Sequence, residues 1–114
     1  MMLNKGVLNG SRVLSAAAVE AMTVSYTGHI PVGYAAGVGQ GFGFEVVTKP
    51  LGMYRYTSIG SFEKAGVYGT YIWVDPAKDL TGVILMQRNT GGAAADLADE
   101  VNIFMVMAAA AIEH

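Results

Sequence analysis

Cysteine is absent from this 114-residue chain. That excludes a disulfide framework and any thiolate-bound metal, and it leaves the redox compartment open. Charge is scarce too. Only 14 % of the residues are Asp, Glu, Lys or Arg, against about 25 % in an average soluble domain. The seven basic residues are scattered from Lys5 to Arg88 and the net charge is −2. Nucleic acid requires clustered Lys and Arg, so no nucleic-acid partner is expected. The longest apolar run, Ile103 to Ile112, falls well short of the roughly 20 residues of a membrane span. The opening residues Met1-Met2-Leu3-Asn4-Lys5-Gly6 lack a basic start followed by an apolar core. They are not expected to act as a signal peptide, which leaves the cytoplasm as the default compartment. The histidines are His29 and the terminal His114. His29 has no His, Asp or Glu at ligand spacing, so neither metal nor cofactor is expected.

What the chain has in quantity is apolar surface and glycine: 53 % hydrophobic residues, 15 glycines and a mean hydropathy of +0.40. The length fits one domain over residues 1–114, or a piece of a larger one. So apolar a composition suggests either that a partner covers much of the surface or that the chain belongs to something larger. Met1–Asn4 reads as the end of a helix capped at Gly6. Val7 to Leu14 reads as a small hairpin around Asn9-Gly10. Ser15 is a good N-cap for a helix over Ala16–Met22. Val24–Gln40 is glycine-interrupted and reads as irregular. The glycines at 37, 39, 41 and 43 open a strand rather than a helix, which argues against a phosphate loop. Strands are expected at Gly41–Thr48, at Tyr54–Lys64 with a break near Gly60, and at Tyr68–Val74. Thr81–Gln87 is almost wholly apolar and reads as a strand buried on both faces. A loop at Asn89–Gly92 leads to a long helix over Ala93–Glu113, with Asp96, Asp99 and Glu100 in its N-terminal half, where the macrodipole favours acids. The expected class is α+β: an antiparallel sheet of three to four strands with the long C-terminal helix packed on one face. Trp73, alternating with Tyr71 and Asp75, is assigned to packing, and Met105 and Met107 to core filling.

The most informative stretch is Ser58 to Pro76. It reads as a strand carrying Lys64-Ala65-Gly66, then Gly69-Thr70, then an aromatic strand ending in the turn signature Asp75-Pro76-Ala77-Lys78-Asp79. This hairpin resembles the Lys-Thr-Gly strand of β-lactamase-related serine hydrolases, the family of class C β-lactamases, penicillin-binding proteins and esterases. The resemblance extends along nearly the whole chain. Gly6 to Ser15 is similar to that family's G-x-L-N-G-x-R-L-L-S segment, and Gly41 to Val46 to its G-L-G-F strand. Gly60 to Gln87 is similar to its later sheet strands, and the last helix to its C-terminal one. The resemblance implies a partial β-lactamase/transpeptidase-like fold, acyl-enzyme hydrolysis of esters, amides or β-lactams, and substrate binding along Lys64, Ala65 and Gly66. Lys64 would supply positive charge, and Gly66 would allow close backbone approach. Ala65 stands where the family usually has Thr or Ser, which tilts the reading toward esterase-like relatives.

The remaining family machinery does not transfer. A hydroxyl nucleophile needs an adjacent base, supplied in that family by Ser-x-x-Lys on a helix and by Tyr-x-Asn. None of the six tyrosines begins Tyr-x-Asn. Ser61-Phe62-Glu63-Lys64 spells Ser-x-x-Lys, but on a strand positions i and i+3 point to opposite faces. No catalytic residue is therefore assigned. The expectation is a C-terminal portion of a longer hydrolase, inactive by itself. The alternatives are a small non-catalytic α+β module that self-associates or binds a partner, and an active mini-hydrolase using Ser61 and Lys64. Lys64 could also simply protect a sheet edge. With the family's N-terminal strands missing, Val83–Met86 would form an exposed edge, open to a second copy or to the missing N-terminal half.

Overall fold

The computed structural model describes residues 1–30, 32, 36–88 and 94–112, with the backbone alone over 94–98. The short N-terminal elements follow the local chemistry of the sequence. Residues 1–6 form hydrogen-bonded turns rather than a helix. The Gly6 N–H donates to the Met1 carbonyl and the Lys5 N–H to that of Met2 (both 3.1 Å). This is the bonding of a helix C-terminus without the helix. Strands β1 (Val7–Leu8) and β2 (Ser11–Arg12) pair across Asn9-Gly10. Both turn residues have positive φ, +48° and +80°, as a type I′ hairpin requires. Ser15 caps helix α1 (Ala16–Thr23), its hydroxyl accepting the Ala18 N–H at 3.0 Å.

The main sheet has five antiparallel strands: β3 (Val38–Gln40), β4 (Glu45–Val47), β5 (Phe62–Ala65), β6 (Tyr71–Asp75) and β7 (Leu80–Ile84). They are hydrogen-bonded in chain order. With the long helix α2 (Ala94–Ala110) packed on it, the architecture is α+β. The sheet has one strand more than the pattern suggested. β3 lies in the glycine-rich stretch read as irregular, where Gly37, Gly39 and Gly41 conceal the alternation. Gly39 permits close approach, since a Cβ there would come within 1.9 Å of the Ser25 hydroxyl oxygen. Tyr54 is not in a strand either. Gly52–Tyr54 is a 3-10 turn, and the strand before the hairpin begins only at Phe62.

The sheet separates two clusters of buried side chains. On the α2 face, Tyr71 and Trp73 pack with Val38, Val47 and Tyr54 against Val101 and Met105 of the helix. Gly82 is what lets the helix approach β7. A Cβ there would meet the Phe104 ring at 2.8 Å and the Trp73 ring at 2.9 Å. On the opposite face Val46, Phe62 and Val74 are covered by Met2, Leu3 and Phe44. Asp75 is fully buried at the β6–β7 turn. Its carboxylate accepts the Ser58 N–H at 2.9 Å and the Lys78 N–H at 3.2 Å, while the Lys78 ammonium donates to the Tyr56 carbonyl.

Two packing expectations need correction. Met105 is core, but Met107 is 66 % exposed, because only the Val101–Met105 side of α2 meets the sheet. Thr81–Gln87 is not buried on both faces. β7 is the last strand of the sheet, with Val83 50 % and Leu85 83 % exposed. The other edge is occupied: the Tyr26 N–H donates to the Gln40 carbonyl (2.9 Å), and the Gln40 N–H to the Thr27 hydroxyl (3.0 Å). The Asn89–Gly92 loop, the outer helix ends at Ala93 and Glu113, and His114 lie outside the described residues.

Candidate functional site

The hairpin β5–β6 positions the sequence-derived site residues. Its register pairs Lys64 with Ile72 and Ala65 with Tyr71, and Ile72 in turn pairs with Val83 of β7. Side chains alternate along a strand. Tyr71 and Trp73 point at α2, so Lys64, Ile72 and Val83 form a row on the opposite face. Lys64 and Ala65 are exposed. With Gly66, Thr70, Ile72, Val83 and Leu85 they line a shallow groove of about 260 Å³.

Gly66 ends the strand and opens the tip of the hairpin. Its N–H donates to the Thr70 carbonyl (2.7 Å), and the Gly69 N–H returns to the Gly66 carbonyl (3.0 Å). A Cβ on Gly66 would lie 2.1 Å from the Thr70 hydroxyl oxygen. Glycine is therefore needed here for the Thr70 side chain to lie against the backbone. The fold thus brings a hydroxyl to the Lys-x-Gly strand from the facing strand, although Ala65 itself has none. Sequence reasoning did not single out Thr70. The available signal was the alternation Thr70, Ile72, Val74, which sets it on Lys64's face once the hairpin register is known. The Arg88 N–H donates to the Tyr68 carbonyl (2.9 Å) and ties the tip to the segment after β7. The Arg88 guanidinium pairs with Glu100 of α2.

Ser61 is separated from this groove. It is fully buried just ahead of β5, and its hydroxyl donates to the Ser58 carbonyl at 2.7 Å. Such a hydroxyl is committed to a turn and cannot meet a substrate. Glu63, next to Lys64, faces the interior. It is 5 % exposed and accepts the Tyr54 hydroxyl. Burial pushes its carboxyl up to about 7. The Tyr54 hydrogen bond works against that rise, Glu45 across the strand pair adds to it, and Lys64 lowers it. Tyr54 is raised well above the usual phenol range by burial and then by Glu63. The sequence reading placed no buried acid here, because it took Tyr54 for a strand residue and left Glu63 without a partner.

Among the described residues no group of three or more His, Cys, Asp or Glu could hold a metal ion. Among the same residues no helix is long and apolar enough to cross a membrane.

An antiparallel sheet with a C-terminal helix on one face and a Lys-x-Gly hairpin open on the other defines a β-lactamase-like fold. The Beta-lactamase family model matches residues 1–104, and the chain belongs to that family. Two relatives from Mycobacterium tuberculosis are similar to it: "Uncharacterized protein MT1414" of strain CDC 1551 / Oshkosh and "Protein Rv1367c" of strain ATCC 25618 / H37Rv. Each is 35 % identical over an alignment covering 77 % of this chain and 24 % of the relative. The chain therefore spans about a quarter of the length of the curated relatives it matches.

Proposed function

We propose that this chain supplies one wall of a serine-hydrolase acyl-transfer site and has no turnover by itself. Lys64, Ala65 and Gly66 form the substrate-binding edge, joined by the Thr70 hydroxyl. The observation that carries the reading is the placement of an exposed ammonium and hydroxyl on the open face of a Lys-x-Gly hairpin, beside an apolar strip fit for an acyl group. A substrate carrying an ester, amide or β-lactam would lie along this strand, with Lys64 facing its negative charge. The nucleophile and its base are not available within these 114 residues. Ser61 is sealed in a turn, and no Tyr-x-Asn is present. The purified chain is expected to hydrolyse neither nitrocefin nor p-nitrophenyl acetate above the buffer rate. Turnover that disappears in Ser61→Ala would overturn the reading.

A second reading, an assembly module, is favoured by one specific observation. The outer edge of β7 carries no strand among the described residues, and Thr81 to Gln87 contains no charge. Unprotected edges of this kind seek partners. A second copy, or the remainder of a longer hydrolase, would satisfy it. Light scattering coupled to gel filtration is expected to find a dimer or larger for the wild type and a monomer for Val83→Lys. A monomeric wild type at micromolar concentration would remove this reading.

A further inference from the structure

Strand β5 turns Lys64 toward the open groove and Glu63 into the core. Among the described residues Glu63 has one hydrogen-bond partner, the Tyr54 hydroxyl at Oε1. Its Oε2 is buried with none, and so is the indole nitrogen of Trp73, its direct partner across the β5–β6 pair. The groups around it come from every packed element. β4 contributes Glu45, the cross-strand partner of Glu63, and the 3-10 turn contributes Tyr54. β5 itself contributes Lys64, on the opposite face. β6 contributes Tyr71, whose hydroxyl rests on the Met105 sulfur at 3.5 Å, and Asp75, which is held by backbone N–H groups. α2 contributes Val101 and Met105. Among the described residues the cation that favours the Glu63 carboxylate is Lys64, acting from the opposite face of the sheet, and Glu45 opposes it.

A neutral carboxyl in this place leaves one hydroxyl unpaired. A carboxylate leaves a buried charge, which is far more costly. We infer that Glu63 is a proton-operated latch. Protonated, it closes the core between β5 and the 3-10 turn Gly52–Tyr54. When it loses its proton to solvent, the Tyr54 hydroxyl keeps its bond to the carboxylate and water enters beside it, beneath the strand that carries Lys64-Ala65-Gly66. The latch links the closed face of the sheet to the geometry of the open one, because Glu63 and Lys64 are consecutive residues of one strand. Burial of Glu63 places the transition near neutral pH.

Trp73 is the only tryptophan of the chain and lies across from Glu63, so it reports the event. Its emission and acrylamide quenching are to be followed on the intact chain between about pH 5 and pH 9, a range bracketing the titration. A single transition with increased quenching at high pH is expected, absent from Glu63→Gln. Tyr54 donates to the carboxylate and Glu45 repels it. Tyr54→Phe should therefore move the midpoint up and Glu45→Gln should move it down, each by about one pH unit or less. A wild type with no transition in this range overturns the latch, as does a transition that persists unchanged in Glu63→Gln. Should Glu63→Gln fail to fold, an unmoved midpoint in Glu45→Gln overturns it equally.

Discussion

At the end of the sheet that carries Lys64 and Thr70, the two faces of β5, β6 and β7 are built from adjacent residues and end in opposite environments. On one face Tyr71 and Trp73 lie under α2, pressed close by the absence of a side chain at Gly82. On the other, Lys64, Thr70 and Val83 stay in solvent, and Ile72 is only partly covered. Composition does not separate the faces, since both carry β-branched or aromatic residues. What separates them is a covering element. Burial stabilises by roughly 25 cal/mol per Å² of apolar area removed from water, so a side chain with no cover contributes little however apolar it is. At this end of the sheet the α2 face is sealed and the other face is free to bind, while further along the same face Phe62 and Val74 are buried beneath Met2, Leu3 and Phe44.

Three measurements would break or sharpen this contrast. The largest effect is expected for Trp73→Ala on the closed face, a loss of about 3–5 kcal/mol in urea unfolding. A loss under about 1 kcal/mol would mean that α2 does not seal this face in solution. The next concerns the polar flaw within the closed face. Glu63 holds its proton more tightly folded than unfolded, with its carboxyl raised from 4.5 to about 7. Stability is then greatest below about pH 4.5, falls as pH rises through the interval, and levels off above about pH 7, with a total change on the order of 3 kcal/mol. Urea midpoints across this interval should decline for the wild type and stay flat for Glu63→Gln, leaving the variant the more stable at pH 8. The smallest effect belongs to the open face. Lys64→Ala should change stability by no more than about 0.5 kcal/mol, and a larger loss would show that Lys64 is structural.

The sequence revealed the elements that local chemistry governs. Asn9-Gly10 could only turn, Ser15 could only cap, and Asp75-Pro76 closed the β6–β7 turn as expected. The alternation of Tyr71, Trp73 and Asp75 identified the inward face. The Lys64-Ala65-Gly66 strand stood out as a lysine, a small residue and a glycine in an alternating strand, through its resemblance to the family's Lys-Thr-Gly strand. What escaped depends on pairing over distance. β3 is a strand because β4 and the Tyr26–Thr27 segment bond to it, not because its own residues favour one. Thr81–Gln87 looked like an inner strand because apolar runs report the absence of polar demand, not the presence of cover. Thr70 and Glu63 gained their meaning from residues facing them across a hairpin, and single-strand periodicity carries no record of such neighbours.

The two ends of the β5–β6–β7 meander are held very differently. At the Asp75 end, carboxylate bonds to Ser58 and Lys78 and the Lys78 ammonium on Tyr56 fasten the turn to a neighbouring loop. At the Gly66–Gly69 end, the Arg88 N–H on the Tyr68 carbonyl ties the tip to the segment following β7. Mechanically the meander is clamped at its root by Asp75 and stayed at its tip through Arg88, whose guanidinium pairs with Glu100 of α2. Lys64 and Thr70 ride near that second fastening, far from the buried clamp at Asp75.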